Sequence, residues 1–108
     1  MVLMEGYFML IILGYMHVDP AYHAQFLADL TALAAATRQR AGNISYDAVI
    51  DASELGRLLI AERWVDQAAL SAHLAAADTI AFVDQWHGRM QGDIRKYDAA
   101  NERDLMDR

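Results

Sequence analysis

Three residues in the segment LLIAERWVDQAALSAHL, from Leu58 to Leu74, have side chains suited to proton transfer and hydrogen bonding. Glu62 and Trp64 lie two residues apart in an apolar run, and His73 lies in a stretch rich in alanine and leucine. A carboxylate on an apolar face is either paired with a cation or has a raised pKa. Histidine takes up a proton near neutral pH, and a buried indole N–H needs an acceptor. This segment is therefore the first candidate for an active site.

The same residues also have a structural interpretation. Glu62 could pair with a cation such as Arg57, Arg95 or Arg63 of a second copy, and structural ion pairs of this kind are common. Trp64 is more often a core residue than a ligand contact. A single histidine in a helix usually satisfies its hydrogen bonds within the fold.

The remaining histidines are weaker candidates for chemistry. His17 lies at the end of a predicted strand, on the same face as Tyr15. His23, in the first turn of a predicted helix, and His87, at the end of another, are expected to be surface or cap residues. The chain has no HExxH motif, no two histidines four residues apart and no cysteine, so we predict no metal site built by the protein.

The composition argues against several classes of partner. A formal net charge of −6 with nine Lys and Arg does not suit a nucleic-acid surface or an anionic membrane. The apolar run over residues 7–16 is too short to span a bilayer. An export signal needs a basic segment at its start, but the first Lys or Arg of this chain is Arg38. We therefore expect a cytoplasmic protein without nucleic-acid or membrane partners.

The spacing of apolar residues predicts one domain over residues 1–108, of the α+β class, with a ferredoxin-like β-α-β-β-α(α)-β order and an antiparallel sheet. Residues 1–8 are expected to be a flexible lead and residues 99–108 a polar tail. Asp19, Asp66 and Asp78 are predicted helix N-caps, and Gly42 is predicted to end the first helix. The predicted strands are 9–18, 43–51, 56–65 and 92–97, and the predicted helices are 20–41, 67–77 and 79–87.

The first predicted strand is apolar on both of its alternating sets of residues, which is typical of a strand buried on both faces. In a ferredoxin-like domain the helices cover one face of the sheet and leave the other open. A chain with 56% hydrophobic residues would expose an apolar patch there. We therefore predict a homodimer with its two sheets face to face.

The aromatic residues and isolated proton-transfer groups favour a pocket for a flat, apolar or aromatic ligand. The residues predicted to contact such a substrate are Tyr15, His17, Tyr46, Phe82 and Trp86.

The stretch IAERWVDQAALSAHLAAADTIAF, from Ile60 to Phe82, resembles the antibiotic-biosynthesis-monooxygenase-like family, including its small quinol-monooxygenase members. AGNISYD, residues 41–47, resembles the glycine-led second strand of that family, and the resemblance extends over residues 10–97. The family pattern of E-x-W, a polar turn, an A-H-L helix and a later aromatic is matched by Glu62, Trp64, Asp66, Ala72, His73, Leu74 and Phe82.

The resemblance implies a dimeric α+β barrel and oxygenation of an activated phenol, anthrone or hydroquinone without flavin, metal or other cofactor. The substrate would itself reduce O₂, so the protein would need to remove a phenolic proton, exclude water and stabilise an oxyanion. His73 would then be the catalytic proton acceptor and Trp64 an N–H donor. Glu62 would orient or pair with one of them.

The chain departs from the family pattern at several positions. Ile60 and Leu70 stand where polyketide-tailoring members carry Asn and Tyr. Asp78 stands where quinol-monooxygenase-like members often carry a second histidine. Val83 stands near the position of the haem ligand in haem-degrading relatives, so we predict no haem. Two other functions stay open: a proton-transfer isomerase, and a non-catalytic small-molecule-binding or stress-response protein.

Overall fold

A computed structural model describes residues 8–108 and confirms the α+β class and the predicted ferredoxin-like order of elements. The strands are β1 Met9–Val18, β2 Asn43–Ala52, β3 Arg57–Trp64 and β4 Met90–Ala99. The helices are α1 His23–Thr37, α2 Gln67–Leu74 and α3 Ala77–Trp86, with 3₁₀ turns at Pro20–Tyr22 and Ser53–Leu55.

The strands form one four-stranded antiparallel sheet in the order β2-β3-β1-β4. β1 is central and pairs with β3 on one side and β4 on the other, while β2 and β3 form the predicted hairpin. Gly14 lets β4 approach β1 closely, because a Cβ at this position would lie 2.2 Å from the carbonyl oxygen of Asp93. The glycine therefore fixes how tightly these two strands can pair.

The helices cover one face of the sheet. Leu58, Ile60, Glu62 and Trp64 of β3 alternate toward the helices, and all four are buried. The buried apolar residues form two clusters, the larger around Phe26 and the smaller around Trp64. The candidate residues Glu62 and Trp64 thus lie at the helix-covered face, beside the smaller cluster.

The opposite face of the sheet carries exposed apolar side chains. Leu13 of β1 is 43% exposed, Val49 of β2 is 56% exposed and Tyr97 of β4 is 51% exposed. One face of β1 is therefore exposed in the single chain, and the predicted burial of both faces depends on the predicted partner. This open face has the apolar character that the homodimer prediction requires, and the dimer itself stays a prediction.

Two helix ends differ from the predicted ones because tightened turns stop the helices early. α1 ends at Thr37 rather than near residue 41, since the N–H of Arg40 turns back to the Thr37 carbonyl at 2.9 Å. Gly42, at φ +86°, ends the turn that follows instead of the helix itself. α2 ends at Leu74 rather than near residue 77, where the next backbone bond, from Ala76 to the His73 carbonyl, also spans three residues.

The helix caps are partly as predicted. Asp66 caps α2 by accepting from the Ala69 N–H at 2.8 Å. Asp19 accepts from the Ala21 N–H at 2.9 Å, but it caps the 3₁₀ turn Pro20–Tyr22 rather than α1, which begins at His23 without a side-chain cap. Asp78 does not cap α3, because that helix begins at Ala77 and places Asp78 in its first turn. The side chain of Asp78 is thereby available for a contact outside the helix.

The chain ends differ from the prediction only in detail. β4 is longer at both ends than the predicted 92–97, because the ten-residue β1 offers a pairing partner along its whole length. The predicted lead, residues 1–8, lies outside the described residues except for Phe8, which is exposed. Residues 100–108 are exposed, and Glu102 accepts from Arg63 at 3.0 Å.

Within residues 8–108, every helix is too short or too polar to cross a bilayer.

Candidate active site

Glu62, Trp64 and His73 lie together between β3 and α2. The strand alternation turns Glu62 and Trp64 toward the helices, and His73 lies on the side of α2 that packs against Trp64. The indole and imidazole rings stack, with their centroids 5.0 Å apart and their planes at 29°. All three side chains are buried. The sequence prediction that grouped these residues thus corresponds to a single buried cluster.

The indole N–H of Trp64 donates to Oε1 of Glu62 at 2.9 Å. This bond uses the donor that the sequence analysis assigned to a ligand oxygen. The predicted pairing of Glu62 with Arg57 or Arg95 is wrong, since both arginines bind aspartates on the opposite side of the sheet. Burial raises the pKa of the Glu62 carboxyl, and the hydrogen bond from Trp64 opposes that rise.

Tyr46 completes the strand side of the cluster. It lies directly opposite Glu62 in the pairing of β2 with β3, and its ring meets His73 edge-on at a centroid distance of 6.1 Å. Burial raises the pKa of the Tyr46 phenol, and the negative charge of Glu62 adds to the effect. The phenol therefore stays protonated at neutral pH. Among the predicted substrate-binding residues, Tyr46 is the one in contact with His73.

Arg40, in the turn after α1, is a member of the cluster that the sequence analysis missed. Its Nη1 lies 2.6 Å from Nδ1 of His73, 3.1 Å from Oγ1 of Thr37 and 3.3 Å from Oγ1 of Thr79. Its Nη2 forms an ion pair with Asp78. One guanidinium thus contacts residues of α1, α2 and α3. No local motif indicates these contacts, because His73 lies 33 residues further along the chain.

The electrostatics of the cluster keep His73 neutral. Burial lowers the pKa of the His73 imidazole, and the nearby charge of Arg40 lowers it further. Asp78 acts in the opposite direction, but it is itself held by Arg40, which lowers the pKa of that carboxyl. A carboxyl with a raised pKa and a neutral imidazole therefore lie on either side of Trp64.

The other four predicted substrate-binding residues lie elsewhere in the fold. Phe82 and Trp86 of α3 pack against Phe26, with ring centroids 5.4 and 4.9 Å apart. Tyr15 and His17 alternate to the open face of the sheet, away from Trp64, and His17 borders a cavity of about 440 Å³ at the end of β1. The structure does not bring these four side chains to the Glu62–Trp64–His73 cluster.

The two remaining histidines have different environments. His23 is buried, and its Nε2 lies 3.0 Å from the carbonyl oxygen of Val18. The prediction of a surface or cap role for His23 is therefore wrong, because the first 3₁₀ turn delivers the ring back onto the end of β1. His87 is exposed at the C-terminal end of α3, as predicted.

A cavity of about 290 Å³ opens between α1 and α3. Leu33, Phe82 and Asp78 are among its walls, whereas Glu62, Trp64 and His73 are not. Asp78 links the cavity to the buried cluster through its ion pair with Arg40. Within residues 8–108, no three His, Cys, Asp or Glu side chains are grouped so that they could hold a metal ion.

The fold and the cluster define a small ferredoxin-like α+β domain with a Glu-Trp-His group buried between sheet and helices. Residues 9–85 match the antibiotic biosynthesis monooxygenase family, and the chain belongs to that family. The resemblance that the sequence analysis identified is therefore confirmed.

Individual relatives agree with this assignment. The Bacillus subtilis (strain 168) protein named "Putative monooxygenase YcnE" is 29% identical over 75 residues, which are 69% of this chain and 79% of that one. A crystal structure from Deinococcus radiodurans that carries the same family name is 27% identical, with a TM-score of 0.81 over 91% of this chain and 99% of that one. Another, from Caulobacter crescentus CB15, is 22% identical with a TM-score of 0.80 over 88% and 92%, and shows the shared fold.

Proposed function

We propose that this protein is a cofactor-independent monooxygenase that oxidises a small aromatic quinol, phenol or anthrone with O₂. The observation that carries the proposal is the buried cluster, in which a carboxyl with a raised pKa and a neutral imidazole flank one indole. Membership of the antibiotic biosynthesis monooxygenase family gives the reaction class its support.

The reaction needs a proton acceptor and a polar donor in a dry site. Removal of the phenolic or anthrone proton gives an anion that transfers electrons to O₂. The new carbon–oxygen bond gives a hydroperoxide once the terminal oxygen is protonated. Its O–O bond then breaks with loss of a proton from the same carbon, so that one oxygen atom remains as a carbonyl and the other leaves as H₂O. The substrate supplies all the electrons. The protein supplies proton transfer, stabilisation of the developing oxyanion and exclusion of solvent.

The contacts divide these tasks among the three proposed catalytic residues. Glu62 accepts the substrate proton, because its raised pKa makes the carboxylate a stronger base than an ordinary glutamate. Trp64 orients Glu62 through its N–H. His73 donates a hydrogen bond to the oxyanion, since its Nδ1 already contacts Arg40 and the ring is neutral. This division differs from the sequence-based hypothesis, in which His73 was the proton acceptor.

The cavity between α1 and α3 is the proposed place for the aromatic substrate. Its volume of about 290 Å³ is near the lower end of small-molecule sites. Phe82, predicted from sequence to contact the substrate, lies in its wall. The Arg40–Asp78 ion pair joins this wall to His73, and so connects the cavity with the cluster.

The test is O₂ uptake by chelator-treated protein with a panel of hydroquinones, naphthols and anthrones. We expect uptake above the spontaneous rate, and a fall of at least about tenfold in Glu62→Gln and in His73→Ala, which is about 1.4 kcal/mol of barrier. Glu54→Gln is the matched control, because Glu54 is an exposed carboxylate outside the cluster, and it should retain the wild-type rate.

Each alternative function gives a different result in the same assay. Product formation without O₂ would replace the monooxygenase with a proton-transfer isomerase. Saturable binding of a panel member without turnover would indicate a non-catalytic binding protein. Either result, or the absence of protein-dependent uptake across the panel, would overturn the proposal.

We also propose that the protein is a cytoplasmic homodimer in which the open sheet faces meet. Its support is the apolar surface that contains Leu13, Val49 and Tyr97. Sedimentation velocity at micromolar concentration should give a dimer for the wild type and a monomer for Leu13→Glu. Leu74→Glu is the control, because Leu74 is exposed on α2 rather than on the sheet. A monomeric wild type would refute the dimer and leave the monooxygenase proposal standing.

A further inference from the structure

The Arg40–His73 contact defines where the imidazole carries its proton. A guanidinium has only hydrogen-bond donors and stays protonated in proteins. Because Nη1 of Arg40 lies 2.6 Å from Nδ1 of His73, that ring nitrogen must be the acceptor. In the neutral ring the single N–H is then on Nε2.

Arg40 is itself held in place by every helix around it. Oγ1 of Thr37, whose hydroxyl donates to the Leu33 carbonyl at 2.7 Å, accepts from Nη1, and so does Oγ1 of Thr79. Asp78 pairs with Nη2. The guanidinium therefore cannot turn away from His73 without breaking bonds to both α1 and α3.

We infer that Arg40 is a positioning residue that fixes His73 as the neutral tautomer with its proton on Nε2, and that Asp78 holds Arg40 in that role. The assignment concerns a residue that acts through His73 rather than on the substrate. It rests on the proposed function only for its use, which is to present an N–H donor to a developing oxyanion. The tautomer itself follows from the contacts alone.

A second proton on His73 would disrupt this arrangement. It would place an N–H on Nδ1, against the N–H groups of Arg40, with Thr79 as the one other hydrogen-bonding group near that nitrogen among the described residues. The ionisable groups that face the ring from the surrounding elements are Tyr46 of β2, Glu62 of β3 beyond Trp64, Arg40 after α1 and Asp78 of α3. Of these, Arg40 is the one in direct hydrogen-bond contact with His73.

Nitrogen-15 NMR of the imidazole side chains tests the assignment without any substrate. In the wild type near neutral pH, His73 should show an unprotonated Nδ1 and a protonated Nε2. Arg40→Met keeps an unbranched apolar stem but removes the guanidinium, and with it the charge and the donors. In this variant the two tautomers should mix, and the pKa of His73 should rise toward that of a free histidine. Asp78→Asn should mix the tautomers to a smaller extent, because Arg40 then loses its ionic partner. It should not raise the pKa of His73, since the negative charge of Asp78 raises that pKa in the wild type.

Arg38→Met is the matched control. It removes the same charge two residues away, from a side chain that donates to the Tyr46 carbonyl and does not contact His73, so the His73 tautomer should stay as in the wild type. If Arg40→Met does not fold, the wild-type spectrum and the spectrum of Arg40→Lys decide the tautomer assignment. Lysine keeps the charge but loses the planar set of guanidinium N–H donors.

Two results would overturn the inference: a wild-type His73 protonated on Nδ1, or a tautomer that is unchanged in folded Arg40→Met. These readouts are independent of turnover. An Nε2–H tautomer in a protein that consumes no O₂ would refute the proposed function and leave the role of Arg40 intact. O₂ consumption by a protein whose His73 fails the tautomer test would leave the monooxygenase proposal standing and remove Arg40 from the mechanism.

Discussion

Trp64→Phe, combined with Glu62→Gln, measures whether the carboxyl of Glu62 is ionised in the folded protein. Phenylalanine keeps an aromatic ring against His73 but removes the N–H that donates to Oε1 of Glu62 at 2.9 Å. Glutamine keeps an acceptor oxygen at position 62 but removes the charge. The two single variants and the double variant therefore form a cycle that isolates the charge-assisted part of this hydrogen bond.

The expected magnitude follows from the kinds of bond compared. A hydrogen bond to a charged group contributes about 1.5–3 kcal/mol and a neutral one about 0.5–1.5 kcal/mol. Trp64 is fully buried, so Trp64→Phe also leaves unfilled space and should cost about 2–4 kcal/mol in total. Trp64→Phe should cost about 1 kcal/mol less in the Glu62→Gln background than in the wild type at about pH 8.

The assay is urea unfolding followed by far-UV circular dichroism, with one protein concentration for all four proteins. The coupling should fade as the pH falls toward the pKa of Glu62, which burial raises above its ordinary 4.5, because the protonated carboxyl is neutral like the amide. If the losses in unfolding free energy of Trp64→Phe and Glu62→Gln add to that of the double variant within about 0.5 kcal/mol at pH 8, an ionised Glu62 bound to the indole is refuted.

Two further predictions concern the packing of the sheet and the charge of the imidazole. Gly14→Ala should lower Tm by roughly 10 °C or more, because its Cβ would lie 2.2 Å from the Asp93 carbonyl oxygen. The control is Gly92→Ala, whose Cβ would have its nearest contact at 3.3 Å on a flexible methionine, and it should melt within a few degrees of the wild type. Equal Tm values for the two variants would contradict the close approach of β4 to β1. The lowered pKa of His73 means that the unfolded chain binds more protons than the folded one below pH 6.5, so this contribution to stability is present above 6.5 and is lost as the pH falls. The stability of the wild type relative to His73→Gln, from urea unfolding, should therefore decrease between about pH 7.5 and about pH 5.5, and a difference independent of pH would show that the pKa of His73 is not lowered in the folded protein.

The strands were the most predictable part of the molecule. The apolar pattern predicted β1 with both ends as the structure has them, and β3 to within one residue. The same alternation predicted that Glu62 and Trp64 lie on one face of β3. It also argues against a partner for Glu62 such as Arg57, because odd-numbered residues of β3 face the opposite side of the sheet.

What sequence reasoning could not supply were contacts between distant parts of the chain. The contact of Arg40 with His73 depends on how the turn after α1 meets α2 and α3, which no spacing encodes. The same contact leads us to propose His73 as a donor rather than an acceptor. The early end of α1 has a similar origin, since it follows from the bonds that residues 37–40 make once α1 is packed.

The shared guanidinium also has a consequence for how this sequence can diverge. Thr37, His73, Asp78 and Thr79 each contact the same Arg40 side chain, so a substitution at any of these positions removes a contact of the arginine. Loss of the arginine would remove one partner each from an imidazole, a carboxylate and two hydroxyls at the same time. Among natural variants of this chain, we expect substitutions at these five positions to occur as joint replacements, with the charge at residue 40 and the charge at residue 78 changing sign or disappearing in the same lineage.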